Sequence, residues 1–409
     1  MIKKMNIGII GGGAAGFFAA ISVKQHFPDY TVTIFEKSAK VLSKVKISGG
    51  GRCNVTNACF DTKELSSFYP RGGAFLRKAF EQFNAKSTMD WFIERNVPLD
   101  ILAENCVFPQ SNQSQSIIDC FLKEVNQKNI DVKIQSGIHE IEIRQDNLFL
   151  LKSLNDEFLL DKVIVTTGGH PKRISLEWLE KLGHTIVDPL PSLFTFNMPS
   201  NPICKLMGNV VEECTVKIEG TKLIGKGPLL VTHWGMSGPA ILKLSAWGAR
   251  ILAEKKYKFY ILVNWLNERK EDELRNEILK IVEQNGAKMV CNFNPFPMTN
   301  RLWVFILEKT DINPERRWNE VGKKGINKLI NNLLNDRYEV DGKTTFKEEF
   351  VTAGGVSLEQ VDSSTMESKV VPGLFFAGEV LDIDGVTGGF SFQAAWTTGW
   401  IAGKHIGNE

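Results

Sequence analysis

The chain has 409 residues, 43% of them apolar, which is enough for two or three domains with real cores. Its 49 basic and 47 acidic residues leave a net charge of +2, so composition makes no electrostatic case for a nucleic-acid or other polyanion partner. Seven cysteines (Cys53, Cys59, Cys106, Cys120, Cys204, Cys214, Cys291) form neither a C-x-x-C nor a zinc-ligand array, and His26, His139, His170, His184 and His405 are scattered, which argues against a disulfide framework and a metal site.

At the N-terminus, Lys3 and Lys4 precede an uncharged run from Met5 to Val23, which could pass for a targeting or membrane segment. Three consecutive glycines interrupt it and it is short for a span, so the reading is a cytoplasmic chain without a membrane partner. The run is better read as strand, turn and helix. Asn6–Ile10 is a strand, Gly11-Gly12-Gly13-Ala14-Ala15-Gly16 a turn, an apolar helix follows, and strand Thr31–Phe35 closes on Glu36. This is the dinucleotide-binding fingerprint in its required context. Gly11 allows the tight turn, Gly13 lets a pyrophosphate approach the backbone, and Gly16 lets helix pack on sheet. The helix N-terminus offers unpaired N–H groups to phosphate. Glu36 stands 20 residues past Gly16, where a carboxylate accepts both hydroxyls of an adenosine ribose and repels a 2′-phosphate, which argues against NADP in this site.

A second glycine cluster follows at Ser48-Gly49-Gly50-Gly51-Arg52-Cys53-Asn54. Five residues and an Asn-rich turn separate Cys53 from Cys59, which weighs against a redox dithiol. Periodicity predicts helices around Phe75–Phe83, Ser87–Arg95 and Ser116–Gln127, then strands at Val132–Gln135, Ile138–Arg144 and Leu148–Leu154. Lys162–Thr167 is apolar without alternation, as a strand buried on both faces should be, and it runs into Gly168-Gly169, where a ligand could approach. After Pro189 and Pro191 the pattern turns β-rich, with strands at Leu193–Asn197, Val210–Ile218 and Leu229–Thr232. A helix from Pro239, strand Lys258–Trp265, helices Lys270–Gln284 and Lys323–Leu334, and a strand-like run Thr345–Thr352 complete this part. The next segment, Gly373-Leu374-Phe375-Phe376-Ala377-Gly378-Glu379, continues through Asp382 and Asp384 to Gly388-Gly389 and a helix reaching about Gly403. It reads as the missing half of the nucleotide fold: a buried strand, acids at the sheet's carboxyl edge where a ribityl hydroxyl can be held, and a helix start aimed into the crevice. The expected organisation is therefore a nucleotide-binding α/β domain in two parts, 1–193 and 345–409, interrupted by a small barrel-plus-helical domain at 194–344.

Three family-specific pieces accompany these features: Ile47–Asn57, Thr232-His233-Trp234-Gly235-Met236-Ser237-Gly238-Pro239, and Thr352-Ala353-Gly354-Gly355-Val356 with Thr365-Met366-Glu367-Ser368-Lys369. On them the chain resembles, over nearly its whole length, the bacterial flavoprotein family of aminoacetone-oxidase-like and BaiN-type proteins, within the glutathione-reductase-like FAD superfamily. The resemblance implies a Rossmann-like FAD domain with an inserted domain. It implies FAD held by Gly11, Gly13, Ala14, Ala15, Gly16, Glu36 and Lys37, by Lys44, Ser48, Gly49, Gly50, Arg52 and Asn54, by Ile138, Thr167 and Gly168, and by Gly378, Glu379, Asp382, Gly389, Phe390, Ser391 and Phe392. The chain departs from the family pattern at Leu42-Ser43, at Asn105-Cys106 before Val107-Phe108-Pro109, and at Phe390-Ser391-Phe392. FAD binding survives these departures, while substrate specificity does not carry over.

For chemistry on substrate, His233 is the candidate proton donor or acceptor, because a near-neutral imidazole in a loop suits proton transfer; a structural histidine is the competing reading. Ser237 lacks the final glycine of a hydrolase elbow. Arg52 could neutralise a phosphate or an anionic substrate, or serve in a structural ion pair. The expected function is an FAD-dependent oxidoreductase exchanging a hydride with a small organic substrate, as an NAD(P)H-fed reductase of activated C=C bonds or as an amine oxidase using O₂. A tRNA-acting flavoprotein and a flavin-binding sensor are the other classes. No second Gly-x-Gly-x-x-Gly turn exists, so a nicotinamide donor would share the open flavin face with substrate in ping-pong fashion.

Overall fold

The computed structural model describes residues 4–344 and 351–408. The chain divides into two compact units, Met1–Ser192 with Lys347–Glu409, and Leu193–Phe346.

The first unit is built on a five-stranded parallel sheet in the order Leu374–Phe376, Lys162–Val165, Asn6–Ile10, Thr31–Phe35, Asp131–Lys133. The fingerprint strand is central: Ile10 pairs with Val165 on one side and Phe35 on the other. Strands buried on both faces need apolar side chains throughout, and Ile7, Ile9, Val163, Ile164, Leu374 and Phe376 are fully buried. Helix Ala14–His26 and the C-terminal helix Phe390–His405 pack against each other. Their approach depends on glycine, since a Cβ on Gly399 would stand 2.7 Å from the Ala15 carbonyl oxygen and one on Gly403 2.5 Å from that of Ala19. Both helices are apolar nearly all round, as buried helices are.

Smaller sheets decorate this core. The expected strands around 138–154 are Glu140–Ile143 and Phe149–Lys152, and a third, Glu157–Leu160, completes an antiparallel meander. Its Glu157-Phe158-Leu159-Leu160 sequence lacks the alternation that marks a half-buried strand. Strands Ile186–Pro191 and Thr352–Val356 pair antiparallel at the two chain crossings between the units. Of the expected strand-like run Thr345–Thr352, residues 345–350 lie outside the described residues, and the observed strand begins at Thr352.

The second unit carries a seven-membered strand ladder that starts at Asp336–Asp341 and ends at Lys343–Thr344. Only Gly342 separates those two segments, so the first and last strands are one continuous run and the sheet closes into a barrel. Gly342 turns the corner at φ +103°. Helices Pro239–Glu254, Glu271–Asn285, Asn300–Lys309 and Gly322–Asn335 complete the unit; the third of these escaped the periodicity reading. Among the described residues no helix is long and apolar enough to cross a membrane.

Candidate functional site

Backbone geometry fixes the first turn. Gly11 sits at φ +117°, and a Cβ there would collide with the Thr166 carbonyl; a Cβ on Gly16 would collide with the Gly11 carbonyl oxygen and approach Thr166 Oγ1 to 2.8 Å. Thr166 Oγ1 donates toward the Ile10 and Gly11 carbonyls (3.0 and 2.9 Å) and holds the turn from below. At Gly13 an added Cβ would meet nothing within 4 Å. Gly11 and Gly16 are therefore required by the protein itself, whereas Gly13 keeps open a space that the protein does not use. No side chain caps the following helix, and its first turn carries no acid that would oppose an anion.

Glu36 is already engaged in holding this turn. Its Oε2 accepts the Gly12 N–H (2.8 Å), and its Oε1 accepts the Ser38 N–H and hydroxyl (2.8 and 2.7 Å). The segment after the last parallel strand runs alongside: Ser136 N–H donates to the Glu36 carbonyl, and a Cβ on Gly137 would stand 2.8 Å from Lys37 Cβ. That places the segment carrying Ile138 beside Glu36 and Lys37.

The second glycine cluster is a broken helix, Ser43–Gly51, in which Ser48, Gly49 and Gly50 leave helical geometry. Gly50 and Gly51 have positive φ and open space at their Cβ positions. Asn54, with its amide oriented to match its partners, donates to the Val107 and Thr56 carbonyls and accepts the Gly389 N–H at 3.2 Å. Asn57 donates to the Gly388 carbonyl at 3.3 Å. The two asparagines thus fasten this loop to the start of the C-terminal helix. Arg52 stacks its guanidinium on Phe108 (4.3 Å) and donates to the Gly49 carbonyl, an arrangement distinct from the salt bridge weighed for it. Cys53 and Cys59 are buried free thiols, and burial pushes them up to about 12 and about 11, which disfavours the thiolate a redox dithiol needs.

At the carboxyl edge of the sheet, Gly378 (φ +76°) donates to Thr398 Oγ1 and lets the strand end reach Ala15, whose Cβ would be 2.8 Å from an added side chain. The acids that follow are held by protein groups. Glu379 bridges Lys44 Nζ (2.7 Å) and the Thr352 N–H (2.8 Å), and Asp382 accepts the Gly354 N–H (2.8 Å). Asp384 is buried, chelated by Arg71 and bonded to the Ser192 hydroxyl. Gly389 (φ +92°) lies so close to Thr56 that a Cβ would stand 2.5 Å from its carbonyl. The Phe390 ring is buried against Phe68, while Ser391 and Phe392 are half-buried, with Phe392 stacked on Trp396.

One residue the sequence reading left scattered is brought to this edge. His170 Nε2 lies 3.2 Å from Thr167 Oγ1, and burial, with Lys37 and Lys44 adding to it against Glu379, lowers the imidazole to about 4. It is neutral at physiological pH. The available signal was its position just past the end of a buried parallel strand, where open α/β sheets place their ligands. Gly168 is open, and against the following Gly169 Thr352 carries a buried hydroxyl with no hydrogen-bond partner. The open glycines at 13, 50, 51 and 168, the uncapped helix start and this orphaned hydroxyl together fit a dinucleotide cofactor. His233 lies in the other unit, exposed, in the turn between strands Ile224–Val231 and Gly235–Ser237, with Trp234 edge-on at 4.3 Å. Among the described residues no cluster of three metal-ligating side chains occurs.

A family model described as the HI0933-like protein Rossmann domain matches residues 5–405. A 3-dehydro-bile acid delta(4,6)-reductase of Clostridium scindens is 26% identical, covering 97% of this chain and 98% of its own. A ribosomal RNA dihydrouridine synthase of Escherichia coli is 25% identical over 97% of each chain, and one of Haemophilus influenzae 26% over 98% of each. Among solved structures, a 3-ketosteroid-delta4-(5alpha)-dehydrogenase of Rhodococcus jostii superimposes with a TM-score of 0.52 at 12% identity, covering 99% of this chain and 97% of its own. A 3-ketosteroid delta1-dehydrogenase of Sterolibacterium denitrificans gives 0.53 at 11%, covering 99% of each. These two share the fold.

Proposed function

The chain belongs to the HI0933-like family and is an FAD-dependent oxidoreductase, and from that premise we propose that it reduces a carbon–carbon double bond conjugated to a carbonyl, with NAD(P)H as electron donor. The observation that carries this reading is shared chemistry: the relatives named for a 3-dehydro-bile acid and for dihydrouridine, matched over 98% and 97% of their lengths, bear names that both denote saturation of a C=C bond polarised by a carbonyl. Such a bond accepts a hydride at its β-carbon and a proton at its α-carbon. FAD, when bound, supplies the hydride exchange.

The chain's own residues have three tasks in this reading. The Gly11–Gly16 turn, with Ala14 and Ala15 opening the helix, holds the pyrophosphate, and Glu36, Lys37 and Ile138 take the adenosine half. Thr167, Gly168 and the two fastened loops, Lys44 to Asn54 and Gly378 to Phe392, take the flavin half. Glu379 and Asp382 then act by holding those loops in place, since their carboxylates are bonded to Lys44 and to backbone N–H groups. His233 is the candidate proton donor to the α-carbon, standing exposed in its turn.

Anaerobic mixing with NADH or NADPH tests the donor through bleaching of the yellow flavin. A cyclic enone added afterwards should restore the colour and yield one saturated ketone per flavin. His233→Asn should leave bleaching by NADPH unchanged and slow the enone half-reaction. Colour restored by O₂ at an unchanged rate with or without enone, together with bleaching by a primary amine, would favour the amine-oxidase reading.

A further inference from the structure

We propose that the second unit carries a docking pocket for single-stranded RNA, between the turn Pro202–Leu206 and the helix Asn300–Lys309. The choice of ligand rests on the conjugated-bond reading, in which the double bond can be borne by a free ring or by a uracil within RNA. The pocket itself belongs to a face for which that reaction assigns no role.

The overall charge of +2 averages two unlike units. Leu193–Phe346 holds 23 Lys and Arg against 17 Asp and Glu, a net of +6, whereas the remainder holds 26 against 30, a net of −4. Positive charge collected on one unit is the electrostatic footprint of a polyanion partner. The argument from overall neutrality does not apply to that unit by itself.

Charge alone does not select RNA; the shape of the pocket does. It is an open surface depression of about 520 Å³, room for one nucleotide rather than for a duplex. Its floor is apolar, made by Leu206, Val304 and the half-buried ring of Phe305, and its rim carries the exposed cations Lys205 and Arg301. Arg301 Nη2 donates to the Lys205 carbonyl at 3.0 Å, which fixes that cation at the rim instead of leaving it to swing in solvent. Met207, 57% exposed, extends the apolar surface past Leu206. An aromatic platform with cations beside it is how single strands are held, base on the ring and phosphates on the charges. One acid, Glu308, shares the pocket and would face the sugar or a base N–H rather than a phosphate. An acidic peptide would use the rim but has no planar group for the floor.

The test is fluorescence anisotropy of the flavin-loaded protein with a labelled short oligouridylate across a potassium chloride series. Single-stranded RNA should bind, more tightly than the matching duplex. The double variant Lys205→Glu, Arg301→Glu should lose at least about tenfold in affinity and flatten the log–log salt slope by roughly 1.4, the expectation for two phosphate contacts on a single strand. Phe305→Leu should weaken binding at every salt concentration without changing that slope. A control pair away from the pocket, Lys255→Glu with Lys256→Glu, should bind nearly as wild type. Melting curves of the holoproteins establish that each variant is folded.

Three results would overturn the proposal: no RNA binding at low salt, equal loss in the control pair, or displacement by oligoglutamate as effective as by RNA, the last pointing to an acidic protein partner. Enone reduction measured on the same preparations separates the two readings. Wild-type protein that reduces the enone but does not bind RNA removes the pocket alone, and wild-type protein that binds RNA but does not reduce the enone removes the proposed chemistry alone.

Discussion

The nucleotide unit and the inserted unit both bring elements together where side chains are missing, and the inserted unit adds a four-donor carboxylate to that device. In the first, the decisive approaches occur where side chains are missing: Gly16 under the Gly11 carbonyl, Gly389 against Thr56, and Gly399 and Gly403 against the helix of the fingerprint. In the second, a strand meets helix Pro239–Glu254 at Gly225, whose added Cβ would collide with the Ala240 carbonyl oxygen, and one fully buried carboxylate also ties barrel to helices within a shared apolar core. Asp336 accepts from Trp265 Nε1 (2.9 Å), Tyr338 Oη (2.5 Å), Asn332 Nδ2 (3.1 Å) and Lys309 Nζ, so both carboxylate oxygens are saturated by donors from two helices, one strand and the turn after another. Close backbone contact leaves N–H groups and space facing outward, which suits a unit that must receive a large anionic cofactor. A saturated carboxylate leaves nothing over and serves only to fix one arrangement.

The sharpest way to break the comparison is within a single turn. Gly16→Val should prevent the first unit from folding, because its Cβ has nowhere to go. Gly13→Val should give a folded, colourless protein, because its Cβ meets only the space the cofactor would take. Far-ultraviolet circular dichroism with released-flavin analysis distinguishes the two, and a yellow Gly13→Val protein would refute the assignment of that space. The flavin released from wild type should run as FAD on chromatography.

In the insert, Asp336→Ala should cost about 3–5 kcal/mol, the toll of stranding buried donors and a charge, and should lower the melting temperature without discharging FAD. Loss of flavin together with that destabilisation would show that the two units are not independent in the way their separate cores imply.

A smaller effect is expected at Glu36, whose carboxylate accepts from Gly12 and Ser38. Glu36→Ala should weaken FAD by about 1.5–3 kcal/mol, the range for hydrogen bonds to a charged group, measured by titrating apoprotein with FAD. The last is a pH effect in the nucleotide unit, small at any single pH near neutrality. Burial lowers His170 to about 4 and lowers His184 and His405 as well. A histidine whose folded pKa lies below its unfolded value of about 6.5 contributes nothing above that pH and costs stability as pH falls toward the folded pKa. For His170 the loss should therefore develop between about pH 6.5 and 4, at up to roughly 1.4 kcal/mol per pH unit. Urea midpoints across that range should fall more steeply for wild type than for His170→Gln; identical slopes would show that His170 titrates normally.

The parallel core, its glycine turn and the cofactor half at the C-terminus were legible in the sequence, because each rests on local rules: a buried strand is an apolar run, and a backbone that must turn with positive φ or admit another backbone must be glycine. The insert was expected as a small barrel, but how it closes was not legible, since Gly342 joining the first and last strands of the ladder is a matter of register. Strand Glu157–Leu160 was missed because its sequence does not alternate, whereas helix Asn300–Lys309 was overlooked although Leu302, Trp303, Ile306 and Leu307 bury one face at helical spacing behind a Thr299 cap.

At the site, the sequence by itself named the open glycines and Glu36. Only the tertiary structure decided what the carboxylates do: Glu379 meets Lys44 across 335 residues of chain and Asp384 meets Arg71 across 313, and no spacing rule reaches that far. It also decided that Arg52 lies on a phenylalanine ring and that His170 stands at the sheet edge as a neutral imidazole. The division follows from range. Backbone sterics act within a few residues and are written in residue type, whereas the partner and protonation state of a charge depend on whatever distant segments the fold packs around it.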